Sequence, residues 1–264
     1  MSDTRVIIVG ATGMVGGIAL RESLRRPDVA TVTAVGRRTT GVKDTKLRDV
    51  VHDDYMDYKR IAEVFDGQDV ALFCIGAYTG AVPDEEFRKI TVDYTVAFAR
   101  ALYEKSSHAA FCFLSGQGAD QTESSRMAFA RHKGAAEKAL IGQGFARVHI
   151  FRPGYIYPVT PRDEPNFTYR ITRALYPVLR RIYPNIGIAS DDLARAMVCA
   201  GLEGTGRHEA PVLENRDIRA LAEATRLRVT LRTSWSRWTP PIPGRILGAA
   251  KEDPTLPGGG NAKH

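Results

Sequence analysis

Short apolar runs alternate with stretches of helical spacing through the first 152 residues, and that alternation predicts the architecture. Val6-Ile7-Ile8-Val9 is a continuous apolar run, the pattern of a strand buried on both faces. A helix from Met14 to about Leu24 follows it and is stopped by Pro27-Asp28. Further strands are expected at Thr31–Val35, Val50–His52, Val70–Ile75, Ala110–Ser115 and Arg147–Phe151. Between them, helices are expected near Tyr58–Phe65, over Asp84–Glu104 and over Ser125–Leu140. In the second of these Phe87, Ile90, Tyr94, Ala97, Phe98, Ala101 and Leu102 recur at helical spacing and are assigned to the core. Strand and helix alternating at this spacing mean an α/β fold, a doubly wound parallel sheet with right-handed crossovers.

The first strand runs straight into Gly10-Ala11-Thr12-Gly13-Met14-Val15-Gly16. Gly10 allows the tight turn out of the strand, Gly13 lets backbone N–H groups approach a pyrophosphate, and Gly16 lets the helix close on the sheet. The helix N-terminus adds its positive dipole end, so Gly10, Thr12, Gly13, Met14, Val15 and Gly16 are assigned to dinucleotide binding. After the second strand, where the adenosine ribose of a dinucleotide would lie, stand Arg37 and Arg38 instead of a carboxylate. Guanidinium groups suit a 2′-phosphate, which predicts NADP(H); the alternative is a solvated basic turn. Asp54 and Tyr55 follow the third strand and are candidates to accept from the adenine amine and to cover its face, against an ordinary acidic loop. Gly76 and Ala77 open a small-residue loop that lets the backbone pass close to the cofactor, and Pro153 and Gly154 pass beside the nicotinamide.

Composition narrows the function classes. The 264 residues have no apolar run of the roughly 18 residues a spanning helix needs, and a strand beginning at residue 5 leaves no room for a signal peptide. Cys74, Cys112 and Cys199 lie in apolar segments and read as buried thiols of a reducing, cytoplasmic compartment. The formal charge is +7, but residues 225–264 carry seven cations against two acids, a net +5, which leaves +2 for residues 1–224. The basicity belongs to the tail and is no argument that the main domain binds nucleic acid. The six histidines are scattered, with no cluster at metal-ligand spacing, and no Gly-x-Ser-x-Gly elbow of a hydrolase is present.

Taken in order, Gly10-Ala11-Thr12-Gly13-Met14-Val15-Gly16, Cys74-Ile75-Gly76, Leu114-Ser115-x-Gln117-Gly118-Ala119, Lys133-Gly134-x-x-Glu137 and Arg152-Pro153-Gly154 resemble the atypical short-chain dehydrogenase/reductases. Within that NAD(P)-binding Rossmann superfamily the likeness is to the Tat-interacting-protein/NmrA-like branch, over about residues 4–215. The resemblance implies a Rossmann-type sheet, NADP(H), and a pocket for a small-molecule substrate over the C-terminal edge of the sheet. Family catalysis uses Ser, Tyr and Lys, the last two four residues apart on one helix face. Ser115 matches the serine, and Lys133 matches the lysine that also holds the nicotinamide ribose. Four residues before Lys133 stands Phe129, which keeps the ring and has no exchangeable proton. Ser115, Tyr78, Tyr155 and His132 are the alternative donors. The expected function is therefore an oxidoreductase on a small carbonyl or enone; the alternative is a non-catalytic NADPH-binding, redox-sensing regulator.

The remainder divides in two. Residues 1–224 form the dinucleotide-binding domain, with a small helical substrate-covering part from about 155; residues 225–264 form a basic, Pro/Gly-rich, flexible extension. In the covering part, Phe167–Tyr183 reads as an amphipathic helix with a basic face, and Ser190 as the N-cap of another helix. Ala210–Glu214 reads as a last strand, with Asn215 capping a helix to about Ala224. Trp235 and Trp238 among the tail arginines raise a weak contact with a membrane surface or a protein.

Overall fold

A computed structural model describes residues 4–77, 80–159, 184–206 and 208–235, with side chains to 227. Tyr78, the helix expected over Phe167–Tyr183 and the tail beyond Trp235 lie outside the described residues. In chain order the elements begin β1 (Thr4–Val9), α1 (Met14–Arg25), β2 (Val29–Gly36), β3 (Leu47–Val51), a 3-10 segment (Lys59–Phe65) and β4 (Val70–Phe73). They continue with α2 (Asp84–Arg88), a π turn (Lys89–Asp93), α3 (Tyr94–Ser106), β5 (Ala110–Leu114), α4 (Ala128–Gly142) and β6 (Arg147–Arg152). The last are β7 (Tyr155–Tyr157), β8 (Gly187–Ala189), α5 (Ser190–Glu203), β9 (Val212–Glu214) and α6 (Asn215–Trp235).

Seven strands form one sheet in the order β3-β2-β1-β4-β5-β6-β9, every pair parallel. The continuous apolar runs follow from burial on both faces. Val6 and Ile8 of β1 pack with Val15, Ala19 and Leu20 of α1 and with Met197 of α5. Ile7 and Val9 pack on the other side with Phe98 and Leu102 of α3 and Ala136 and Leu140 of α4. That second layer is largely aromatic: the Phe98 ring lies 5.3 Å from Phe65, 5.4 Å from Phe73 and 5.9 Å from Phe111. Because β1 pairs with β2 on one side and with β4 on the other, the chain reverses direction across the sheet at β1. The crevice beyond the strand ends at that point is where open α/β sheets bind ligands.

Four local expectations change. The helix predicted over 84–104 is continuous from Asp84 to Ser106 but is interrupted by the π turn, where the Thr95 hydroxyl donates to the Thr91 carbonyl at 2.8 Å. Ser190 does not cap α5: Ala189 precedes the helix, and the Ser190 hydroxyl accepts the Val159 N–H at 3.2 Å. Asn215 opens α6, yet its side chain serves the segment after β6, accepting the Gly154 N–H and donating to the Asn185 carbonyl, both at 3.0 Å. The helix expected to stop near Ala224 continues to Trp235, in keeping with the helix propensity of its Leu and Arg residues. No helix among the described residues is long and apolar enough to cross a membrane.

Candidate functional site: a glycine turn between two cavities

The turn after β1 has the geometry its glycines require. Gly10 has φ +85°, and a Cβ there would lie 2.8 Å from the Cys74 carbonyl carbon. The Gly13 N–H returns to the Gly10 carbonyl at 2.9 Å and starts α1. No side chain caps α1 and no acid occupies its first turn, so its N-terminal dipole end is left to a bound anion. A Cβ on Gly16 would lie 2.2 Å from the Gly10 carbonyl oxygen, which brings α1 against the turn itself as well as the sheet.

Two cavities flank this turn and share Gly13, Cys74, Ile75 and Gly76. One, of about 530 Å³, is lined by Gly10, Thr12, Arg37, Arg38, Thr40 and Tyr55. The other, of about 520 Å³, is lined by Met14, Val15 and Ala77 on one side and by Leu114, Ser115, Phe129 and Lys133 on the other. Pro153, Gly154, Tyr155 and Ile156 close it. Cys74 stands at the junction as a neutral thiol, its pKa pushed up to about 12 by burial.

In the first cavity Arg37 and Arg38 are exposed and make no ion pair among the described residues. Tyr55 is nearly buried, its ring 5.3 Å from Tyr94. Burial raises its pKa, and Arg37, reaching its hydroxyl through backbone and side chain, opposes that. Asp54 is the predicted site residue that the fold leaves out. Its Oδ1 accepts the Met56 N–H at 2.9 Å in a local turn, and it does not line the cavity.

In the second cavity Ser115, Phe129 and Lys133 come together as the spacing predicts. The Phe129 ring lies on the Gly116 backbone: a Cβ on Gly116 would be 2.7 Å from Cζ of Phe129. Lys133 is buried on α4, with Nζ donating to the Leu114 carbonyl at 3.0 Å and lying 5.1 Å from the Phe113 ring centroid. Burial pulls its pKa down to about 8, against the field of Glu137. His132, the other candidate on this helix, turns outward to Asp84 Oδ1 at 3.0 Å and does not line the cavity.

The residue to which the sequence reading gave no role, although it closes the motif Lys133-Gly134-x-x-Glu137, is Glu137. Its side chain is fully buried and accepts four hydrogen bonds. They come from Ser115 Oγ at 2.5 Å, Gln121 Nε2 at 2.8 Å, Arg152 Nε at 2.9 Å and Arg152 Nη2 at 2.5 Å. Arg152 uses its remaining nitrogen on Glu214 Oε1 at 3.0 Å. A carboxylate gripped by a guanidinium can only accept, so the Ser115 proton points at Glu137 and Ser115 offers the cavity an acceptor. The signal was Glu137 one helical turn after Lys133 in Lys133-Gly134-x-x-Glu137, though only the fold shows Arg152 beneath it.

The residues present fit a dinucleotide: a glycine cradle, an open helix N-terminus, and paired cavities meeting at the sheet's switch point. That arrangement defines a Rossmann-type dinucleotide-binding protein. The chain belongs to the NAD(P)H-binding family, whose model matches residues 10–200. Protein fmp52, mitochondrial, of Aspergillus clavatus is 30% identical over 230 residues, covering 81% of this chain and 96% of that protein. Protein HTATIP2 of Rattus norvegicus is 29% identical over 159 residues, covering 59% of this chain and 64% of that protein. Among solved structures, an oxidoreductase of the short-chain dehydrogenase/reductase family from Burkholderia thailandensis superposes with a TM-score of 0.61 at 17% identity, covering 89% and 98% of the two chains. The Bordetella bronchiseptica enzyme WbmG in complex with NAD superposes at 0.58 with 14% identity, covering 86% and 79%. The fold is thus a short-chain dehydrogenase/reductase fold, and the branch is the one the ordered motifs indicated.

Proposed function

We propose that the protein is an NADP(H)-dependent oxidoreductase acting on a small carbonyl or enone, with Phe129 in the place the family gives to tyrosine. The observation that carries this reading is the meeting of Lys133, Ser115 and Phe129 in one cavity that opens onto the glycine turn. Gly10, Thr12, Gly13, Met14, Val15 and Gly16 form the pyrophosphate turn, and the Gly76-Ala77 loop passes above it. Lys133 and the Pro153-Gly154 segment flank the nicotinamide end; NADPH, when bound, supplies a hydride there. The NADP preference is supported by Arg37 and Arg38 and by the absence of any acid from the described lining of the first cavity. We expect Arg37→Ala/Arg38→Ala to weaken NADPH binding by about 10–100-fold and to change NADH binding by less than about threefold, as read by nucleotide fluorescence titration. Equal losses for both nucleotides would remove the assignment. No disulfide joins Cys74, Cys112 and Cys199 among the described residues, which suits a reducing compartment, cytoplasm or mitochondrial matrix alike.

A second reading, a non-catalytic NADPH-binding regulator, is favoured by two observations: Phe129 has no hydroxyl, and the Ser115 proton is committed to Glu137. Deuterated NADPH, incubated with the protein and a small-molecule extract of its own cells, separates the two. A deuterated metabolite supports the oxidoreductase; no label, from protein shown to bind NADPH, supports the regulator. Phe129→Tyr gives an independent check. It is expected to raise an existing turnover at least about tenfold, by restoring a phenol beside Lys133, and to create no such gain where hydride never moves.

A further inference from the structure

We propose that the Lys133 ammonium itself, rather than a hydroxyl group, gives the proton to the substrate oxygen during carbonyl reduction. The inference rests on the oxidoreductase reading and assigns the acid that Phe129 lacks. Four facts of placement support it. Lys133 lines the second cavity with Phe129, one helical turn earlier on α4, so the two side chains share one helix face and one cavity. Among the described residues Nζ has one hydrogen-bond acceptor, the Leu114 carbonyl, and an ammonium has three N–H bonds to give. The Ser115 hydroxyl already donates to Glu137. His132 is turned away to Asp84.

The electrostatics agree with this placement. The titratable and charged groups on the elements around Lys133 are Glu137 on its own helix, Ser115 after β5, Cys74 after β4, Tyr155 on β7, and Arg152 on β6 behind Glu137. Glu137 favours the ammonium, but burial outweighs it and brings the amine to about 8. An amine there is largely protonated at pH 7 and regains its proton readily from solvent. The atoms balance without another reactant. Hydride leaves NADPH, whose C–H bond breaks to give NADP⁺, and forms a C–H bond at the carbonyl carbon as the C=O π pair moves to oxygen. Oxygen takes a proton from Nζ, an N–H bond breaking as an O–H bond forms, and the neutral amine regains a proton from the solvent, the one net proton that the reduction consumes.

The reduction needs the protonated amine, so turnover is present below about pH 8 and falls towards tenfold per unit above it. Cinnamaldehyde and 9,10-phenanthrenequinone serve as enone and dicarbonyl probes, with deuterated NADPH and the protein's own cell extract alongside. Lys133→Arg keeps a cation for ribose but cannot release a proton. It is expected to lose about 10²-fold or more in turnover with NADPH affinity held within about threefold. Independently of activity, carbon-13 labelling of the lysine ε-carbons in the ligand-free protein should show one amine titrating near 8, absent in Lys133→Met, while exposed lysines titrate near about 10.4. Retained turnover in Lys133→Arg, a Lys133 amine titrating with the others, or abolition of turnover by Tyr155→Phe would overturn this proposal alone. Absence of deuterium transfer from wild-type protein to probes and extract would overturn the oxidoreductase reading, and this one with it.

Discussion

Gly16→Ala is expected to reduce NADPH binding by at least about 100-fold and to lower stability by about 1–3 kcal/mol, the usual range for overpacking. One methyl group does this because of what it meets. The added Cβ would lie 2.2 Å from the Gly10 carbonyl oxygen, 2.8 Å from its carbon and 3.1 Å from the Cys74 Cβ. Alanine in place of glycine inside a helix would by itself gain about 1 kcal/mol. Relief must therefore come from movement, and Gly10 cannot supply it. Its positive φ holds the turn, its carbonyl already accepts the Gly13 N–H, and the Cys74 backbone closes the other side. What moves is α1, carrying the N-terminal N–H groups away from Gly76 across the turn where both cavities meet. Gly142→Ala is the control: it lies at the end of α4 with nothing within 4 Å of a new Cβ, and should be neutral or mildly stabilising. Urea unfolding and fluorescence titration of NADPH measure the two effects. Gly16→Ala protein that binds NADPH like wild type would remove the close approach of α1 from the account of the site.

The glycine turn was legible because its requirements are local. A glycine turn between a buried strand and a helix can be read from its own residues, and Arg37 and Arg38, which follow β2 directly, line the cavity beside it. Seven parallel strands were equally legible, since both faces of the sheet are covered and each central strand is apolar without alternation. What failed was long-range. Lys133 and Glu137 stand four apart on α4, but that Glu137 is buried depends on β6 bringing Arg152 to it. The β7–β8 pair is three residues long in each strand, below what periodicity can register. Asn215 and Ser190 looked like helix caps because local chemistry favours that use. Their side chains instead tie down Gly154 and Val159 in the segment after β6, a choice made by neighbours 61 and 31 residues away. The π turn at Lys89–Asp93 leaves no mark in apolar spacing strong enough to separate it from a continuous helix.

Arg152→Met, in the network behind the second cavity, is expected to cost about 3–5 kcal/mol, because it strands a buried charge. The two carboxylates that Arg152 serves are not equivalent. Glu214 is 42% exposed and can be rehydrated cheaply when its partner is lost, whereas Glu137 is 0% exposed and cannot. Ser115 and Gln121 still donate to Glu137 in the variant, but two neutral donors do not replace a bidentate guanidinium. A carboxylate left buried without its cation takes up a proton more readily folded than unfolded. Its contribution is then least unfavourable in acid and worsens as pH rises through its folded-state titration, so the deficit should be smaller at pH 5 than at pH 8. Urea midpoints of wild type and variant at the two pH values test this. Arg152→Met/Glu137→Met should recover much of the loss, since an apolar pair of similar bulk often replaces a buried ion pair without penalty. Recovery of stability without recovery of turnover would separate the two duties of the network: Arg152 and Glu137 hold the end of β6 against α4, and Glu137 sets the direction of the Ser115 hydroxyl at the cavity wall. A deficit under 1 kcal/mol, or one independent of pH, would mean that Glu137 is solvated and that Ser115 is free to turn its proton toward a substrate.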